Sequence, residues 1–297
     1  MFSYRHAFHA GNHADVLKHT TLLAILRHMV IKDKPFTVFD THAGAGLYRL
    51  DGDYAKTSGE ASVGYLRLIE KLACISPTPA LQDYLDLVAS FNTTGSHKVY
   101  PGSPFIIQRL LRDRDRLKLF ETHPTDVQTL IANMAQLEAD YQVAVLREDG
   151  FEGLKKFLPP PTRRSLVLCD PSYEIKSDYS RVADMVEDAL TRFSTGTYAV
   201  WYPIIPRPES HQLPRKIKTL ATRFDRPWLD ATLTVKSSRL VTNDAGDVVR
   251  PGLPASGMFV INPPHTLKAA LKETLKQMAQ VLTTHPNNAF TLESGGS

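Results

Sequence analysis

The feature that most constrains the fold is a short apolar segment that ends in a carboxylate and leads into two spaced glycines. The segment Phe36–Asp40 has this character, and Gly44 and Gly46 follow it. Aromatic and β-branched residues favour a covered strand, and glycines let the backbone turn tightly or approach a ligand closely. Ligands of open α/β sheets bind at the carboxyl ends of the strands. The segment therefore predicts a buried strand that feeds a cofactor loop, with Asp40, Gly44 and Gly46 at the cofactor.

Three kinds of cofactor loop compete for this segment. A phosphate loop needs Gly-Lys-Ser/Thr after the glycines, whereas Leu47-Tyr48-Arg49 follow them here. A dinucleotide fingerprint needs a third glycine and a nearby acidic strand end, and neither is in place. The remaining alternative is the loop of S-adenosylmethionine-dependent methyltransferases, which has an acidic strand end followed by Gly-x-Gly. On this segment alone, an ordinary strand-to-loop turn fits about equally well.

Three later segments repeat the pattern of an apolar strand with an acidic end. They end at Glu121, Asp149 and Asp170. In a βαβ unit, the second acid can accept hydrogen bonds from ribose hydroxyls. Asp149 is suited to the exocyclic amine of a bound adenine, and Gly150 leaves room for the ring. Four such strands predict an α/β fold of the Rossmann-like class I methyltransferases, with S-adenosylmethionine as cofactor.

The distance between the first two acidic ends indicates an insertion. An unbroken βαβ unit would place the second acid about 20 residues beyond the glycines, whereas Glu121 lies much farther along the chain. Residues of about 51–96 contain two helical patterns, so we expect a small helical insertion subdomain there, within one methyltransferase domain spanning 1–297. The segment 283–297 ends in Ser and Gly residues, and we expect it to be a disordered tail.

The most specific chemical feature is the tetrapeptide Asp170-Pro171-Ser172-Tyr173 at the end of the fourth strand. The carboxylate of Asp170 and the carbonyl of Pro171 can both accept hydrogen bonds from an exocyclic amine, which aims its lone pair at a methyl donor. Tyr173 offers a ring on which a flipped-out base can stack. An Asp-Pro turn is common after a strand. The tetrapeptide nevertheless follows the fourth strand of a predicted sheet whose first three strands also end in an acid, and this favours a catalytic role for Asp170, Pro171 and Tyr173.

Composition excludes several classes of protein. The chain has 297 residues and a formal net charge of +4, which permits a polyanionic partner without requiring one. Its two cysteines, Cys74 and Cys169, are too far apart for a Cys-x-x-Cys site. No apolar stretch reaches the length of about 18 residues that a membrane span needs, and the amino terminus lacks a signal-peptide pattern. We therefore expect a cytoplasmic protein with no membrane association.

The amino-terminal segment is rich in histidine. His6, His9, His13 and His19 fall within fourteen residues, but no acidic or cysteine pattern of ligand spacing accompanies them, so we expect no metal. Near the cation Lys18, a histidine such as His6 can instead meet a phosphate. We therefore assign His6 and Lys18 to the substrate side of the site.

Four motifs give the chain a resemblance to a known family. They are the runs Tyr4–His6, His9–His19, Asp40–Gly46 and Gly257–Pro264. With these motifs the chain resembles the RlmJ family, bacterial adenine-N6 methyltransferases of 23S ribosomal RNA, over nearly its whole length. The resemblance implies transfer of a methyl group from S-adenosylmethionine to N6 of adenine 2030 in protein-free ribosomal RNA. It also implies a small helical subdomain after the first strand.

The resemblance further implies roles for single residues. Asp170 would engage the target amine, and Tyr4 would lie against the RNA. Contacts with S-adenosylmethionine are implied for His19, His42, Ser103, Glu121, Asp149 with Gly150, and Asp170. His42 stands where a general methyltransferase pattern has another glycine, and we expect its imidazole to touch the cofactor. One departure is Ser172 in place of the family's second proline, which would restrict the residue before it.

Two other hypotheses remain open from the residues. A DNA-adenine or protein-glutamine methyltransferase would use the same tetrapeptide. A non-catalytic RNA-binding or assembly factor could retain the cofactor fold, although the full set of acidic strand ends argues against it. The expected partner is 23S ribosomal RNA, and a monomer is the expected state.

Overall fold

The computed structural model describes residues 6–93, 95–139, 141–238, 241–242, 248–249, 252–283 and 289–296, and Tyr4 lies outside them. The helices are α1 (His13–Ile31), α2 (Asp53–Ser58), α3 (Glu60–Val63), α4 (Tyr65–Leu72), α5 (Pro79–Ala89), α6 (Ser103–Gln108), α7 (Pro124–Ala135), α8 (Gly150–Gly153), α9 (Ser177–Arg192), α10 (Pro208–Arg223) and α11 (Leu267–Leu282). The strands are β1 (Thr37–Asp40), β2 (Leu47–Arg49), β3 (Val99–Pro101), β4 (Arg116–Phe120), β5 (Val143–Leu146), β6 (Ser165–Cys169), β7 (Thr197–Ile204), β8 (Trp228–Thr234), β9 (Val241–Thr242), β10 (Val248–Val249), β11 (Ala255–Ile261) and β12 (Phe290–Gly295). None of the helices in these ranges is long and apolar enough to cross a membrane.

One eight-stranded sheet organises the molecule, with the strand order β12-β8-β11-β7-β6-β1-β4-β5. The strands β7, β6, β1, β4 and β5 run parallel, and β11, β8 and β12 continue the sheet beyond β7 in antiparallel pairs. Val38 of β1 pairs with Leu117 on one side and Leu166 on the other, and all three side chains are buried. Parallel strands covered on both faces are typical of doubly wound α/β proteins. The predicted Rossmann-like fold class is confirmed.

The order of the parallel strands explains where the site forms. After β1 the chain builds β4 and β5 on one side and then returns to place β6 on the other side. Such a switch point is the usual ligand site of this type of sheet, at the carboxyl ends of the strands. Asp40 ends β1, Asp170 follows β6 and Glu121 follows β4. The parallel register therefore brings these three carboxylates to the same edge of the sheet.

Helix α1 is buried on nearly every side. Asn12 caps the helix by accepting a hydrogen bond from the backbone N–H of Asp15 at 2.9 Å, a role that asparagine favours. The helix packs against β11 and against α5, α6 and α11. Polar residues of its first turns, including Lys18 and His19, are buried with the apolar ones. Buried polar groups need partners, and these residues find theirs near the carboxyl edge of the sheet.

In the sequence, helices α2 to α5 connect the short strands β2 and β3, which pair with each other in antiparallel fashion. Helix α5 packs on α1 and α11, and α4 packs on α11. Leu68 of α4 and Tyr84 and Val88 of α5 are buried in the same hydrophobic core as α1 and the sheet. The helices within 51–96 thus share their core with the rest of the domain, and their separate status as a subdomain stays a prediction.

The end of the chain corrects one sequence prediction. A disordered tail over 283–297 is wrong for the described residues 289–296, because Phe290–Gly295 forms β12 and pairs with β8. Phe290 and Leu292 are half-buried, whereas Thr291 and Glu293 are exposed. This alternation is the two-residue period of a strand, but it is too short to be distinctive beside Ser and Gly residues. Residues 284–288 and 297 lie outside the described ranges.

Removing β12 should expose the edge of β8 and destabilise the protein. We expect a chain that ends at Ala289 to unfold at a Tm several degrees lower and to self-associate, because unpaired strand edges recruit other chains. A chain that ends at Gly295 keeps every β12 pair and serves as the control. Thermal unfolding followed by circular dichroism and size-exclusion chromatography measure the two effects. An unchanged Tm after removal of β12 would show that this pairing contributes nothing to stability.

Candidate active site

A cavity of about 400 Å³ opens at the carboxyl edge of the sheet, and its size is typical of a small-molecule site. The predicted site residues that line it are His6, Lys18, His19, His42, Gly44, Ser103, Glu121 and Asp170. The predicted cofactor residues that do not line it are Asp40, Gly46, Asp149 and Gly150. Among the residues that the structure describes, no cluster of His, Cys, Asp or Glu is arranged to hold a metal.

Asp40 supports the cavity wall from behind. Its buried carboxylate accepts a hydrogen bond from the Ser103 hydroxyl at 2.6 Å and from the backbone N–H of His42 at 3.3 Å. Burial raises the pKa of Asp40 to about 6, although these hydrogen bonds oppose the shift. Asp40 therefore fixes Ser103 and the start of the glycine loop, which in turn form the wall.

Glu121 joins the glycine loop to the end of β4. Its carboxylate accepts hydrogen bonds from the backbone N–H groups of Gly44 at 2.8 Å and His123 at 2.6 Å. Burial raises the pKa of Glu121 despite these two donors. The side chain lines the cavity, where its oxygens can accept further hydrogen bonds from hydroxyl groups of a ligand.

Gly46 and Gly150 serve packing rather than the cavity surface. Gly46 has a φ of +83°, and a Cβ there would lie 2.9 Å from side-chain carbons of Phe105 and Leu130. A Cβ on Gly150 would lie 2.1 Å from the carbonyl oxygen of Thr41. Each glycine lets neighbouring segments approach more closely than a side chain would allow. Their contribution to the cavity is therefore indirect.

Asp149 lies at the start of α8 and is engaged by an arginine. Its carboxylate accepts a hydrogen bond from the backbone N–H of Phe151 at 2.9 Å and pairs with Arg181 at 2.6 Å. Burial opposes ionisation, but Arg181 and the backbone donors outweigh it and hold the pKa of Asp149 below its usual value. The Arg181 guanidinium lies 4.3 Å from the centre of the Phe151 ring, which His42 meets edge-on at 4.7 Å. This ring connects Asp149 with the wall of the cavity.

Lys18, which the sequence assigns to the substrate side, is buried between two carboxylates. Its ammonium lies 2.8 Å from Asp15 and also contacts Asp170. His6 contacts the other oxygen of Asp15 at 3.0 Å. Burial opposes the charge of Lys18, but the two carboxylates outweigh it and raise the pKa of the ammonium. Lys18 therefore ties helix α1 to the carboxylate that follows β6.

Two histidines of the cavity wall are held neutral. Burial lowers the pKa of His19 to about 3 and that of His42 to about 4. His19 Nδ1 lies 2.9 Å from the Tyr100 hydroxyl, and its Nε2 is buried with no hydrogen-bond partner in the described part of the chain. His42 Nδ1 lies 2.8 Å from the Thr41 hydroxyl. Neutral imidazoles can offer hydrogen bonds without repelling a cationic ligand.

The tetrapeptide after β6 forms a strained turn around the buried Pro171. Tyr173 has a φ of +55°, which is uncommon for a residue with a side chain. Its hydroxyl donates a hydrogen bond to the carbonyl of Trp201 at 2.7 Å, and its own carbonyl accepts one from Arg207 at 3.2 Å. The Tyr173 side chain is only 3% exposed, so little of its ring is open to a stacking base in this structure.

A second cavity, of about 340 Å³, adjoins the first. The residues that line both are His6, Lys18, Asp170, Ser172 and Glu174. The flat or apolar side chains of its wall belong to Tyr173, Trp201, Pro203, Ile205 and Leu253. The two cavities therefore meet at Asp170, so that one carboxylate can face two ligands.

Sequence reasoning missed several residues of the site. Tyr48 lines the first cavity and its hydroxyl accepts a hydrogen bond from the N–H of Ala45 at 3.2 Å, but its segment predicts no strand. Asp15 looks like an ordinary first-turn acid of a helix. Trp201 belongs to β7 and Arg207 to the loop after it. The sequence indicated a role for them only through the position of β7 beside β6, the strand that Asp170 follows.

The parallel sheet, its acidic strand ends and the paired cavities fit the Rossmann-like class I methyltransferases. The family described as Ribosomal RNA large subunit methyltransferase D, RlmJ, matches residues 33–293, and the chain belongs to this family. The family prediction from the sequence is thereby confirmed.

Two curated relatives, both called Ribosomal RNA large subunit methyltransferase J, are similar over nearly the whole chain. The one from Escherichia coli (strain K12) is 42% identical over 276 residues, which are 93% of this chain and 92% of the relative. The one from Haemophilus influenzae is 40% identical over 297 residues, with 99% and 98% covered. A crystal structure of a Legionella pneumophila protein has a TM-score of 0.80 and 29% identity, and the match covers 97% of this chain and 98% of that chain.

The buried Asp40 should make stability fall as pH rises. Its folded pKa of about 6 lies above the ordinary value of 3.8, so between these values the native state binds more protons than the unfolded state. The free energy of unfolding then decreases across this window by up to about 3 kcal/mol. Asp40→Asn removes this titration, so urea unfolding should show the variant gaining stability relative to the wild type between about pH 4 and pH 7. A difference that stays constant with pH would contradict this assignment.

Proposed function

We propose that the protein transfers a methyl group from S-adenosylmethionine to the N6 amino group of an adenine in 23S ribosomal RNA, adenine 2030 by its family resemblance. The observation that carries this proposal is the meeting of two cavities at Asp170. One cavity has acceptors suited to a nucleoside-bearing cofactor, and part of the wall of the other consists of flat and apolar side chains suited to a base. The names of the two curated relatives supply the substrate class.

The first cavity has the hydrogen-bonding groups that S-adenosylmethionine requires. Glu121 can accept hydrogen bonds from ribose hydroxyls, and Nε2 of His19, which has no hydrogen-bond partner among the described residues and lies 3.9 Å from Asp15, can meet a polar group of the cofactor. Asp170 on the wall and Asp40 behind it favour a sulfonium cation, which the neutral His42 does not repel. The cofactor supplies an electrophilic methyl group when it is bound.

We assign the adenine end of the cofactor to Asp149. Its oxygens accept hydrogen bonds from the backbone N–H groups of Phe151 and Glu152 and from Arg181, and a carboxylate can accept about four. An exocyclic amine can therefore bind without displacing Arg181. The rings of Phe151 and His42 lie beside this position, and Gly150 keeps the adjoining backbone free of a side chain.

The residues around Asp170 prepare the target amine. Lys18 contacts one oxygen of Asp170, which leaves the other oxygen to accept a hydrogen bond from the amine. The Pro171 carbonyl is a second acceptor, and proline fixes its own φ. Two acceptors direct the nitrogen lone pair toward the methyl donor. Tyr173 lines the cavity for the base, and His6 lies at the boundary of both cavities, where it can meet the RNA.

The proposal predicts label transfer to adenine in RNA. Methyl-labelled S-adenosylmethionine should yield labelled N6-methyladenine in protein-free 23S ribosomal RNA. Asp170→Asn should slow single-turnover methylation at least about 100-fold, because the amine loses its charged acceptor. Circular dichroism of the variant separates lost chemistry from lost folding.

The same assay decides between the alternatives. Label in DNA or in protein glutamine, with none in RNA, would overturn the proposed substrate. Unaltered function of Asp170→Asn in cells would favour a non-catalytic RNA-binding factor.

His42 should contribute to cofactor affinity. We expect His42→Ala to weaken S-adenosylmethionine binding about five- to tenfold, because a buried neutral donor or acceptor is lost from the wall. The matched control is His265→Ala, since His265 is exposed and follows β11, whose end lies at the opposite edge of the sheet. Isothermal titration calorimetry measures both variants. Unchanged affinity of His42→Ala would assign His42 a purely structural role.

A further inference from the structure

A groove leads from the second cavity toward the surface. The residues that line only the groove are Lys176, Pro206, Pro208, Ser238 and Pro254. The residues that line both the groove and the second cavity are Ile205, Arg207 and Gly252. The cavity and the groove therefore form one continuous path that leads away from Asp170. We call the part of this path from Arg207 to the surface the exit groove.

Arg207 lies where the cavity and the exit groove meet. Its guanidinium donates a hydrogen bond to the Tyr173 carbonyl at 3.2 Å and contacts the hydroxyl of Tyr179. None of the ion pairs formed between described residues includes Arg207. The other cation of the second cavity, Lys18, is engaged by two carboxylates. Arg207 is thus a half-buried positive charge between the second cavity and the exit groove, and its guanidinium has N–H groups that can donate further hydrogen bonds.

Two further cations flank the exit groove. Lys176 is 73% exposed and lies 3.7 Å from Glu209. Lys236 is exposed, and its ammonium would lie 3.1 Å from a Cβ placed on Gly252. No carboxylate is among the described residues that line the groove, and three prolines cover much of it. Cations beside apolar surface suit a sugar-phosphate strand, whose phosphates pair with the charges while its sugars pack on the prolines.

We propose that the exit groove binds the RNA backbone next to the target adenosine, with Arg207 on a phosphate of that strand. This rests on the proposed function, because the strand is the one whose adenosine occupies the second cavity. A base that leaves its stack needs its backbone to pass the mouth of the pocket, and the groove supplies that passage. An arginine fork matches two phosphate oxygens, so Arg207 fixes the register of the strand without reading a base.

The salt dependence of RNA binding tests the exit groove. With a protein-free fragment of 23S ribosomal RNA that spans the target adenosine, Arg207→Gln should weaken binding about five- to tenfold and lower the slope of log Kd against log salt by about 0.7 to 0.9. The matched control is Arg114→Gln, because Arg114 precedes β4 at the opposite edge of the sheet and pairs with Asp33. The control should keep the wild-type slope. Equal slopes for the wild type and Arg207→Gln would overturn the proposal.

A second measurement separates a phosphate contact from support of the Tyr173 turn. A neutral methylphosphonate at one position beside the target adenosine should weaken binding to the wild type and have no further effect on Arg207→Gln. If the losses of affinity caused by the methylphosphonate and by Arg207→Gln add at every RNA position tested, Arg207 only supports the Tyr173 turn, and the proposal is overturned. So would competition by polyglutamate without competition by single-stranded RNA, which would indicate an acidic protein segment.

Both measurements are of binding and are independent of catalysis. RNA that binds with the expected coupling but receives no methyl group would contradict the proposed function and leave the groove assignment standing. RNA that is methylated at the same rate and affinity by Arg207→Gln would contradict the groove assignment and leave the proposed function standing.

Discussion

The buried ion cluster of Lys18 with Asp15 and Asp170 is the interaction on which the site depends. A charge removed from water is costly, and it persists only where its partners hold it closely. The ammonium belongs to α1 and one carboxylate follows β6, so the contact that compensates the lysine also fixes the helix against the sheet edge. Loss of Lys18 would remove the ammonium that both carboxylates share, and breaking a buried ion pair in this way costs about 3–5 kcal/mol. The integrity of the fold and the geometry of the site thus depend on the same contacts.

The first cavity and the exit groove differ in the sign of their charged side chains. Four carboxylates line the first cavity (Glu121, Asp126, Asp170 and Glu174) against the single ammonium of Lys18, and burial keeps His19 and His42 neutral, so its wall favours a cation. The exit groove presents Lys176 and Arg207 and no carboxylate among its described residues, so it favours an anion. Enclosed walls of one sign concentrate ligands of the opposite sign. A cationic cofactor and a polyanionic substrate would therefore be drawn to different sides of Asp170, which lines both cavities.

The sheet could be predicted from the sequence because its parts are encoded locally. Each of β1, β4, β5 and β6 is an apolar run that ends near an acid, and register follows once strands pair in parallel. The partner of Asp149 could not be predicted, because Arg181 lies 32 residues away on α9 and meets it only through tertiary packing. The burial of Lys18 could not be predicted for a related reason, because a stripe of apolar residues in the sequence does not reveal that the helix is covered on nearly every side.

The turn after β6 shows how tertiary contacts can replace a local restraint. The family pattern has a second proline where this chain has Ser172, and that proline would restrict Pro171. Here the left-handed Tyr173 is held by the Trp201 carbonyl and by Arg207. A strained residue of this kind costs about 1–3 kcal/mol and persists only where its surroundings fix it. Because both contacts come from β7 and the loop after it, an RNA phosphate at Arg207 would act on the same guanidinium that holds the turn beside Asp170.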